Sequence, residues 1–275
     1  YNVGITYTLG TGTDATTSMQ TIKANNIRCV HIYRLYKEGS STIDPDAKTV
    51  LTYASSNQME ICMGTLVSVV TDNMQTPSGA AQWLTDLMSV FNNDKTALTS
   101  TVKAIKLGNE VDLFNVSSAQ FSTAIQNIKQ ALTNQNLDIP LTTSFSAEVL
   151  TNSYPPSNAV FKDQNTVSII QAIQNNQSKP FILFDSYSYY AAAGNLGNNW
   201  ILKSSLFQGA SPSNAYENVF DNQFAAILYA LQASSLGGVQ VVIGETGWNN
   251  SGNPNIATAA NEKIFFDNLL KLWIK

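Results

Sequence analysis

The stretch VQVVIGETGW, residues 239–248, places a glutamate directly after a run of apolar and mostly β-branched residues. A short apolar run of this kind is typical of a strand that is buried on both faces of a parallel sheet. Glu245 then stands at the carboxyl end of the strand, where parallel α/β folds collect their functional groups. The stretch therefore predicts a buried strand with a functional carboxylate at its end.

Six other short apolar runs alternate with longer stretches in which apolar residues recur at spacings of three and four. The predicted strands are Asn2–Tyr7, Cys29–Tyr33, Met59–Thr65, Val102–Leu107, Pro140–Phe145, Phe181–Tyr187 and Val239–Glu245. Amphipathic helices are predicted around Trp83, Phe121, Phe220 and Phe265. Strict alternation of strand and helix favours a parallel sheet covered by helices. The predicted fold class is therefore α/β, a (β/α)8 barrel of the TIM type with seven units visible.

Residues 1–275 are predicted to form one barrel domain, because such a barrel takes about 250 residues. The pattern leaves no sequence for an eighth strand and helix, so we expect this domain to be incomplete at its carboxyl-terminal end. An open barrel would expose two ladder edges, which proteins normally avoid. We expect the gap between the first and seventh strands to be closed by direct pairing, a C-terminal segment or a partner chain. Trp273 and Ile274 are then expected to be buried against the closing element.

Composition excludes several classes of function. Charged residues make up 12% of the chain and the net charge is −4, so the basic footprint of a nucleic-acid-binding protein is missing. No apolar run approaches the roughly 20 residues of a membrane span. The surface is instead rich in Asn, Gln, Ser and Thr, which suits a secreted protein, extracellular and associated with a cell wall or cell surface. Asn115, Asn176 and Asn249 begin Asn-x-Ser triplets and are candidate glycosylation sites.

The cysteines and the histidine give no sign of a metal or cofactor. Cys29 and Cys62 lack metal-ligand spacing, and we interpret them as small buried side chains, with a disulfide as the alternative. His31 is the single histidine, and we expect a hydrogen-bonded residue of the barrel interior. A Ser-His-Asp triad would require His31, and no nucleophile-elbow sequence accompanies it. No metal and no cofactor are therefore expected.

Two strand-end glutamates suggest cleavage of a glycosidic bond, which needs one carboxyl group to protonate the leaving oxygen and another to act as nucleophile or base. Glu110, in KLGNEVD, follows the fourth predicted strand, as Glu245 follows the seventh. The barrel is expected to bring both glutamates to one pocket. The other carboxylates that could serve are Asp112, Glu148, Asp185 and Glu217.

Aromatic and amide side chains at other strand ends predict a sugar site around these carboxylates. Trp248 is interpreted as a platform on which a sugar ring stacks, with rim packing as the alternative. The full set of predicted substrate-binding residues is Tyr7, Tyr33, Asn109, Asp185, Tyr187 and Trp248.

Several motifs together resemble glycoside hydrolase family 17, the plant and fungal β-1,3-glucanases. The motifs are VGITYTLG at residues 3–10, RCVHIYRLY at 28–36, KLGNEV at 106–111, SYPPS at 153–157, FDSYSYYA at 184–191 and VVIGETGWNNSG at 241–252. The resemblance implies a (β/α)8 barrel, a retaining mechanism, and β-1,3 or mixed-linkage glucans as substrates. It implies Glu110 as acid/base and Glu245 as nucleophile, about 5 Å apart. It further implies that Asn109 holds the sugar 2-hydroxyl, with Tyr33 and Tyr187 near the reacting ring.

The chain departs from the family pattern at several positions. The family usually has Arg at His31, Asn at Asp185, Pro at Asn249 and Pro-Asn at residues 66–67. The predicted function is a retaining endo-β-1,3-glucan hydrolase, or a glucan transglycosylase, whose partner is a β-glucan polysaccharide. The alternative is a catalytically weak or inactive barrel, a structural or glycan-binding domain of an extracellular assembly.

Overall fold

A computed structural model describes residues 3–10, 12–208 and 218–273. The strands are β1 Gly4–Tyr7, β2 Cys29–Ile32, β3 Glu60–Gly64, β4 Val102–Lys106, β5 Leu141–Thr142, β6 Ser144–Ser146, β7 Leu150–Thr151, β8 Val160–Phe161, β9 Phe181–Asp185 and β10 Gln240–Glu245. The α-helices are α1 Ala15–Ala24, α2 Pro45–Ser56, α3 Val67–Thr71, α4 Pro77–Val90, α5 Lys95–Thr101, α6 Ser118–Asn134, α7 Gln164–Asn176, α8 Ser188–Ala193, α9 Asn199–Ser205, α10 Val219–Ala233 and α11 Ala259–Trp273. Asn2, Glu217, Ile274 and the Trp273 side chain, to which predictions were attached, lie outside the described residues.

The chain divides into two compact units. The first unit comprises residues 2–144 and 168–181, and the second comprises the described residues of 145–167 and 182–275. The single barrel domain over residues 1–275 stays a prediction.

The first unit is built on a sheet in the order β1-β2-β3-β4-β5, in which every neighbouring pair is parallel. Ala104 and Ile105 of β4, whose side chains point to opposite faces of the sheet, are both buried, as expected of a strand covered on both faces. Helices α4 and α6 pack against each other and bury the predicted aromatic residues Trp83 and Phe121. Burying side chains of this size contributes roughly 1.5–3 kcal/mol each. The predicted alternation of strands and helices is confirmed.

The fifth predicted strand is interrupted, contrary to the prediction of one strand over Pro140–Phe145. Strand β5 ends just before Thr143, and strand β6 begins just after it. The Thr143 hydroxyl donates to the Leu107 carbonyl at 2.6 Å. The Thr142 hydroxyl donates to the Phe181 carbonyl at 2.8 Å. Threonine hydroxyls can compete in this way with the hydrogen bonds of a regular ladder, and the strand is broken where they do so.

The second unit contains a sheet in the order β10-β9-β6 and a short antiparallel pair of strands, β7 and β8. Its apolar core includes Phe265 of α11, which is fully buried, with Tyr189 and Leu206 packed in the same cluster. Helix α10 buries Phe220, Ile227 and Leu231, so the two helices predicted for this part of the chain are confirmed.

Two strands carry large apolar side chains that the described residues leave open. In the first unit Ile5 of β1 is 40% exposed, and in the second unit Val242 of β10 is 46% exposed. Strands of a fully covered parallel sheet are normally buried on both faces. The element expected to close the barrel next to these strands stays a prediction.

Candidate active site

The segment after β4 holds a glutamate in an unusual backbone conformation. Glu110 has φ 43°, in the left-handed region that residues other than glycine rarely enter. Its backbone N–H donates to the Ser144 hydroxyl at 2.9 Å, and the Val111 N–H donates to the Ser144 carbonyl at 3.2 Å. Gly108 precedes this turn with φ 75°, and a Cβ there would lie 2.7 Å from Val111 Cγ1. Strained conformations that the surroundings hold in place are common at functional sites.

Asn109, beside this glutamate, has a fixed side chain. Its Oδ1 accepts a very short hydrogen bond from Lys106 Nζ and a second from the Ser144 hydroxyl at 3.3 Å. The Lys106 ammonium also lies over the Tyr33 ring, 5.0 Å from the ring centroid. Asn109, Glu110 and Tyr33, which were predicted separately, therefore belong to one connected group in the first unit. Lys106 was not predicted as part of it.

His31 is buried on β2, as predicted for an interior residue. Its ring meets the Tyr33 ring edge-on, with 4.7 Å between centroids. Burial, and then the positive charge of Lys106, hold the pKa of His31 well below its usual 6.5. The imidazole is therefore neutral at physiological pH.

Tyr7, at the end of β1, is half-buried. Its hydroxyl oxygen is shielded from solvent and has no hydrogen-bond partner among the described residues. Buried hydroxyl groups normally find a hydrogen-bond partner, so the Tyr7 hydroxyl is an exception among the described residues.

Glu245 in the second unit stands at the end of β10, as predicted. Its Oε2 accepts a hydrogen bond from the Tyr187 hydroxyl at 2.8 Å. The Glu245 carbonyl accepts from the Ser186 N–H at 2.9 Å, which ties the strand end to the segment after β9. Tyr187 and Glu245, predicted from separate strands, are therefore in direct contact.

Asp185, the last residue of β9, is more deeply buried than a ligand-binding residue at a strand end was expected to be. It is 1% exposed. A Cβ at Gly244 would collide with Asp185 Oδ1 and would lie 2.8 Å from Leu183 Cβ. The absence of a side chain at Gly244 thus makes room for the buried carboxyl group.

Trp248 does not offer the open ring face that was predicted for sugar stacking. Its side chain is 5% exposed and its indole N–H donates to the Ile256 carbonyl at 2.9 Å. The ring packs against Tyr189 and Phe265, with 5.3 and 5.7 Å between centroids. Trp248 is a core residue of the second unit, because a loop after β10 folds back over it.

Cys29 and Cys62 are both half-buried and are not joined by a disulfide, so the disulfide alternative does not hold in this structure. The Cys29 thiol donates to the Glu60 carboxylate at 3.3 Å. Burial, followed by the hydrogen bond and the negative charge of Glu60, raises the pKa of Cys29 to about 11. This thiol is therefore protonated and weakly reactive at neutral pH.

The remaining candidate residues occupy varied environments. Asn115 and Asn249 are exposed, whereas Asn176 is half-buried and its side chain donates to the Ala172 carbonyl at 2.7 Å. Of the alternative carboxylates, Asp112 is half-buried and Glu148 is exposed. Over the described residues, no group of three or more His, Cys, Asp or Glu side chains is arranged to hold a metal ion.

Comparison with known proteins identifies the family. Residues 3–275 match the family described as glycosyl hydrolases family 17. The chain belongs to glycosyl hydrolase family 17. This family-17 chain is 28% identical over 256 residues to a putative glucan endo-1,3-β-glucosidase of Hordeum vulgare, covering 90% of the chain and 74% of the relative. It is 30% identical over 234 residues to an acidic glucan endo-1,3-β-glucosidase of Zea mays. That alignment covers 79% of this chain and 66% of the relative.

Solved structures of plant β-glucanases resemble the structure of this chain. A β-1,3-glucanase and allergen of Cryptomeria japonica pollen matches with a TM-score of 0.81 and 26% identity, over 100% of this chain and 84% of the other. A plant β-glucan endohydrolase matches with a TM-score of 0.79 and 22% identity. The match covers 98% of this chain and 84% of the other. These likenesses and the parallel sheet confirm the predicted α/β fold class of the (β/α)8 barrel type. Family membership makes the chain an O-glycosyl hydrolase.

Proposed function

We propose that this chain is a retaining endo-β-1,3-glucan hydrolase, or a closely related glucan transglycosylase, with Glu110 as acid/base and Glu245 as nucleophile. The observation that carries the proposal is the placement of both glutamates within a chain that matches family 17 from residue 3 to 275. Each glutamate stands at or just after the end of a strand. The Glu110 backbone N–H donates to the Ser144 hydroxyl, and the Glu245 carboxylate accepts from the Tyr187 hydroxyl. The names of the relatives support the substrate, since they are glucan endo-1,3-β-glucosidases.

In the first step, a Glu245 oxygen attacks the anomeric carbon while the bond from that carbon to the leaving oxygen breaks. Glu110 gives its proton to the leaving oxygen. The Tyr187 hydroxyl donates to Glu245 Oε2, so it stabilises the carboxylate, and we assign the new bond to Oε1. A covalent glycosyl-enzyme with inverted anomeric configuration results.

In the second step, Glu110, now ionised, takes a proton from an incoming water whose oxygen attacks the same carbon. Glu245 leaves as a carboxylate, and the second inversion restores the original configuration. An incoming sugar hydroxyl in place of water would give transglycosylation. Retention requires the two carboxyl groups to stand about 5–5.5 Å apart across the bond.

The sugar is held by groups around these carboxylates. Asn109 is proposed to donate to the 2-hydroxyl, and the unpartnered Tyr7 hydroxyl to bind a sugar oxygen. Tyr33 and Tyr187 are proposed to flank the reacting ring. Asp185 is nearly fully buried, so we assign it to support of the β9 end rather than to direct contact with glucan. Trp248 is assigned to packing for the same reason.

The setting we propose is extracellular, with a cell wall or surface polysaccharide as partner and neither nucleic acid nor cofactor involved. Exposed Asn115 and Asn249 are the more accessible glycosylation candidates. Within the described residues, none of the helices is both long and apolar enough to cross a membrane. A C-terminal segment or a partner chain is proposed to cover the open strands β1 and β10.

The second candidate function is a glycan-binding or structural barrel with little or no turnover. Two observations favour it: His31 replaces the arginine that the family usually has, and Ile5 and Val242 are left open on their strands. Under this proposal the chain would bind β-1,3-glucan and release no product.

The test is incubation with laminarin, followed by analysis of product size and of anomeric configuration by NMR at early times. The wild-type chain is expected to release oligosaccharides of β configuration. Glu245→Gln is expected to lose at least about a thousandfold in kcat, because the nucleophile is gone. Glu110→Gln should lose activity on laminarin and retain more on a glucoside whose leaving group needs no proton.

The outcomes separate the alternatives. Products of α configuration would contradict retention, and an unchanged rate for Glu110→Gln would contradict its assignment. Binding of laminarin to wild type without release of product, measured by calorimetry, would favour the glycan-binding barrel.

A further inference from the structure

Lys106 is an unusual residue because its whole side chain lies inside the protein. It is 1% exposed, whereas lysine is almost never fully buried unless its charge is paired or hydrogen-bonded. Lys103 is on the same strand, β4, yet it is exposed and its ammonium donates to the Thr99 carbonyl at 3.2 Å. Burying Lys106 carries a large cost in desolvation, so its contacts deserve a functional explanation.

The neighbouring strand leaves a path for this side chain. Lys106 pairs with Gly64 of β3, and Gly64 follows Met63, which pairs with Ile32. A Cβ at Gly64 would lie 2.6 Å from the Ile32 carbonyl oxygen and 2.9 Å from Tyr33 Cα. Position 64 therefore cannot carry a side chain. The ammonium of Lys106, which is the residue paired with Gly64, lies 5.0 Å from the Tyr33 ring centroid.

The contacts of Asn109 fix the orientation of its carboxamide. A lysine ammonium can only donate hydrogen bonds, so its partner must be the amide oxygen. Lys106 Nζ and the Ser144 hydroxyl both donate to that Oδ1 atom. The Asn109 NH₂ group, which can only donate, lies at the other end of the carboxamide from these two contacts.

We propose that Lys106 is a positioning residue that locks the Asn109 carboxamide with its NH₂ group toward the substrate. The proposal rests on the function proposed above, since it concerns the group that would hold the sugar hydroxyl. A reversed carboxamide would present an oxygen instead of a donor and would lose the interaction that strengthens in the transition state. The Tyr33 ring holds the ammonium in place through a cation–π contact.

The experiment is a double-mutant cycle with laminarin as substrate. Lys106→Met and Lys106→Gln both remove the positive charge. Both variants are made, so that one remains for the comparison if the other misfolds. Both are expected to lower kcat on the order of 10- to 100-fold with a smaller change in KM, as for an interaction realised mainly in the transition state. In the Asn109→Ala background the same changes should lower kcat by less than about threefold, because the group that Lys106 positions is absent. Lys103→Met is the matched control and is expected to keep wild-type kinetics.

Thermal unfolding distinguishes positioning from a structural role. Removing one partner from a buried, charged hydrogen-bonded group is usually destabilising, so the change in Tm caused by Lys106→Met is compared between the wild-type and the Asn109→Ala background. A purely structural lysine would lower Tm and would act equally with or without Asn109. Either an undiminished effect in the Asn109→Ala background or wild-type kcat in Lys106→Met would overturn the proposal while the proposed function stands.

A substrate-free measurement keeps the two proposals separate. The side-chain NH₂ signals of Asn109 are assigned in an NMR spectrum by their loss in Asn109→Ala. They should move in Lys106→Met and stay in place in Lys103→Met. If the wild-type chain released nothing from laminarin, the proposed function would fail, and this spectrum would still decide whether Lys106 orients Asn109. Unmoved signals in Lys106→Met would refute the orientation.

Discussion

Gly244→Ala is a one-carbon change directly before Glu245, and the surrounding structure makes its cost predictable. The new Cβ would lie 2.8 Å from Leu183 Cβ, roughly 0.7 Å inside the optimal carbon–carbon separation of about 3.5 Å. It would also collide with Asp185 Oδ1. Leu183 is 7% exposed and Asp185 is 1% exposed, so neither side chain can move into solvent.

Forcing a methyl group into a packed site costs about 1–3 kcal/mol. For a chain of this size, each kcal/mol lowers Tm by roughly 2–4 °C. The Glu245 carboxylate is expected to move with the strand, and a 1 Å misplacement of a reacting group can cost about a hundredfold in rate. We therefore expect a lower urea midpoint, a Tm reduced by several degrees and a loss of kcat on laminarin.

Gly237→Ala is the matched control in the same unit. Its Cβ would meet only Gln232 Cγ at 3.7 Å, which is ordinary van der Waals contact, and its backbone is outside the left-handed region. The same substitution should there be neutral or stabilising by up to about 1 kcal/mol, because alanine restricts the unfolded chain. Adding Asp185→Ala to Gly244→Ala should recover at least about 0.5 kcal/mol relative to the sum of the two single changes. Equal stability of the two alanine variants, or strict additivity in the double variant, would refute the reasoning.

Two further predictions concern single side chains. Tyr187→Phe removes the hydrogen bond to Glu245 Oε2. A hydrogen bond to a charged group contributes about 1.5–3 kcal/mol, so kcat/KM should fall about 10- to 150-fold. The exposed Tyr190, replaced by phenylalanine, should show no such loss, and an unaffected Tyr187→Phe would contradict the proposed support of the nucleophile. His31→Gln tests whether the His31 imidazole is neutral in the folded protein. The pKa of His31 is depressed in the folded state. As pH falls below about 6.5, the unfolded chain therefore binds a proton at His31 that the folded chain does not. Wild-type stability is therefore fully present above that pH and should decline below it by up to about 1.4 kcal/mol per pH unit. Urea midpoints at pH 7, 6 and 5 should decline less in His31→Gln, and parallel pH profiles would show that His31 is not buried neutral.

The strands could be predicted because their signal is local. The run predicted as Val102–Leu107 forms Val102–Lys106, and the run predicted as Val239–Glu245 forms Gln240–Glu245. Short runs of apolar, mostly β-branched residues bounded by polar residues favour the extended strand conformation. The strand-end positions of Glu110 and Glu245 followed from the same signal.

The break at Thr143 could not be predicted in this way. The residues PLTTSF at 140–145 have the composition of a single strand. The break depends on which carbonyl groups the threonine hydroxyls reach, Leu107 for Thr143 and Phe181 for Thr142. Those partners are far apart in sequence, so no local pattern contains them.

The environment of Trp248 was also beyond local reasoning. An aromatic residue three positions after a strand-end carboxylate fits a rim platform and a core residue equally well. The choice depends on the Ile256 carbonyl, which accepts from the indole N–H, and on Phe265, which packs against the ring. Both belong to segments that follow in the chain and return to the strand end.

Lys106 was missed although the sequence holds a signal for it. A lysine as the last residue of a buried strand stands where the functional groups of a parallel sheet collect. The same run contains Lys103, which is exposed, and composition alone does not separate the two. The distinguishing feature is Gly64 on the neighbouring strand, and strand pairing must be known before that glycine can be connected with Lys106.

Glycines at strand ends explain how polar groups come to be buried in this protein. Gly64 carries no Cβ where the Lys106 side chain extends toward Tyr33, and Gly244 carries none where Asp185 packs against β10. In both places a Cβ would meet the neighbouring strand at less than 3 Å, and at Gly244 it would also collide with the buried carboxyl group of Asp185. The sequence shows each glycine as an ordinary turn signal. Each glycine instead affects a residue of the adjacent strand. The burial of Lys106 and of Asp185 can therefore be explained only once the register of the sheets is known.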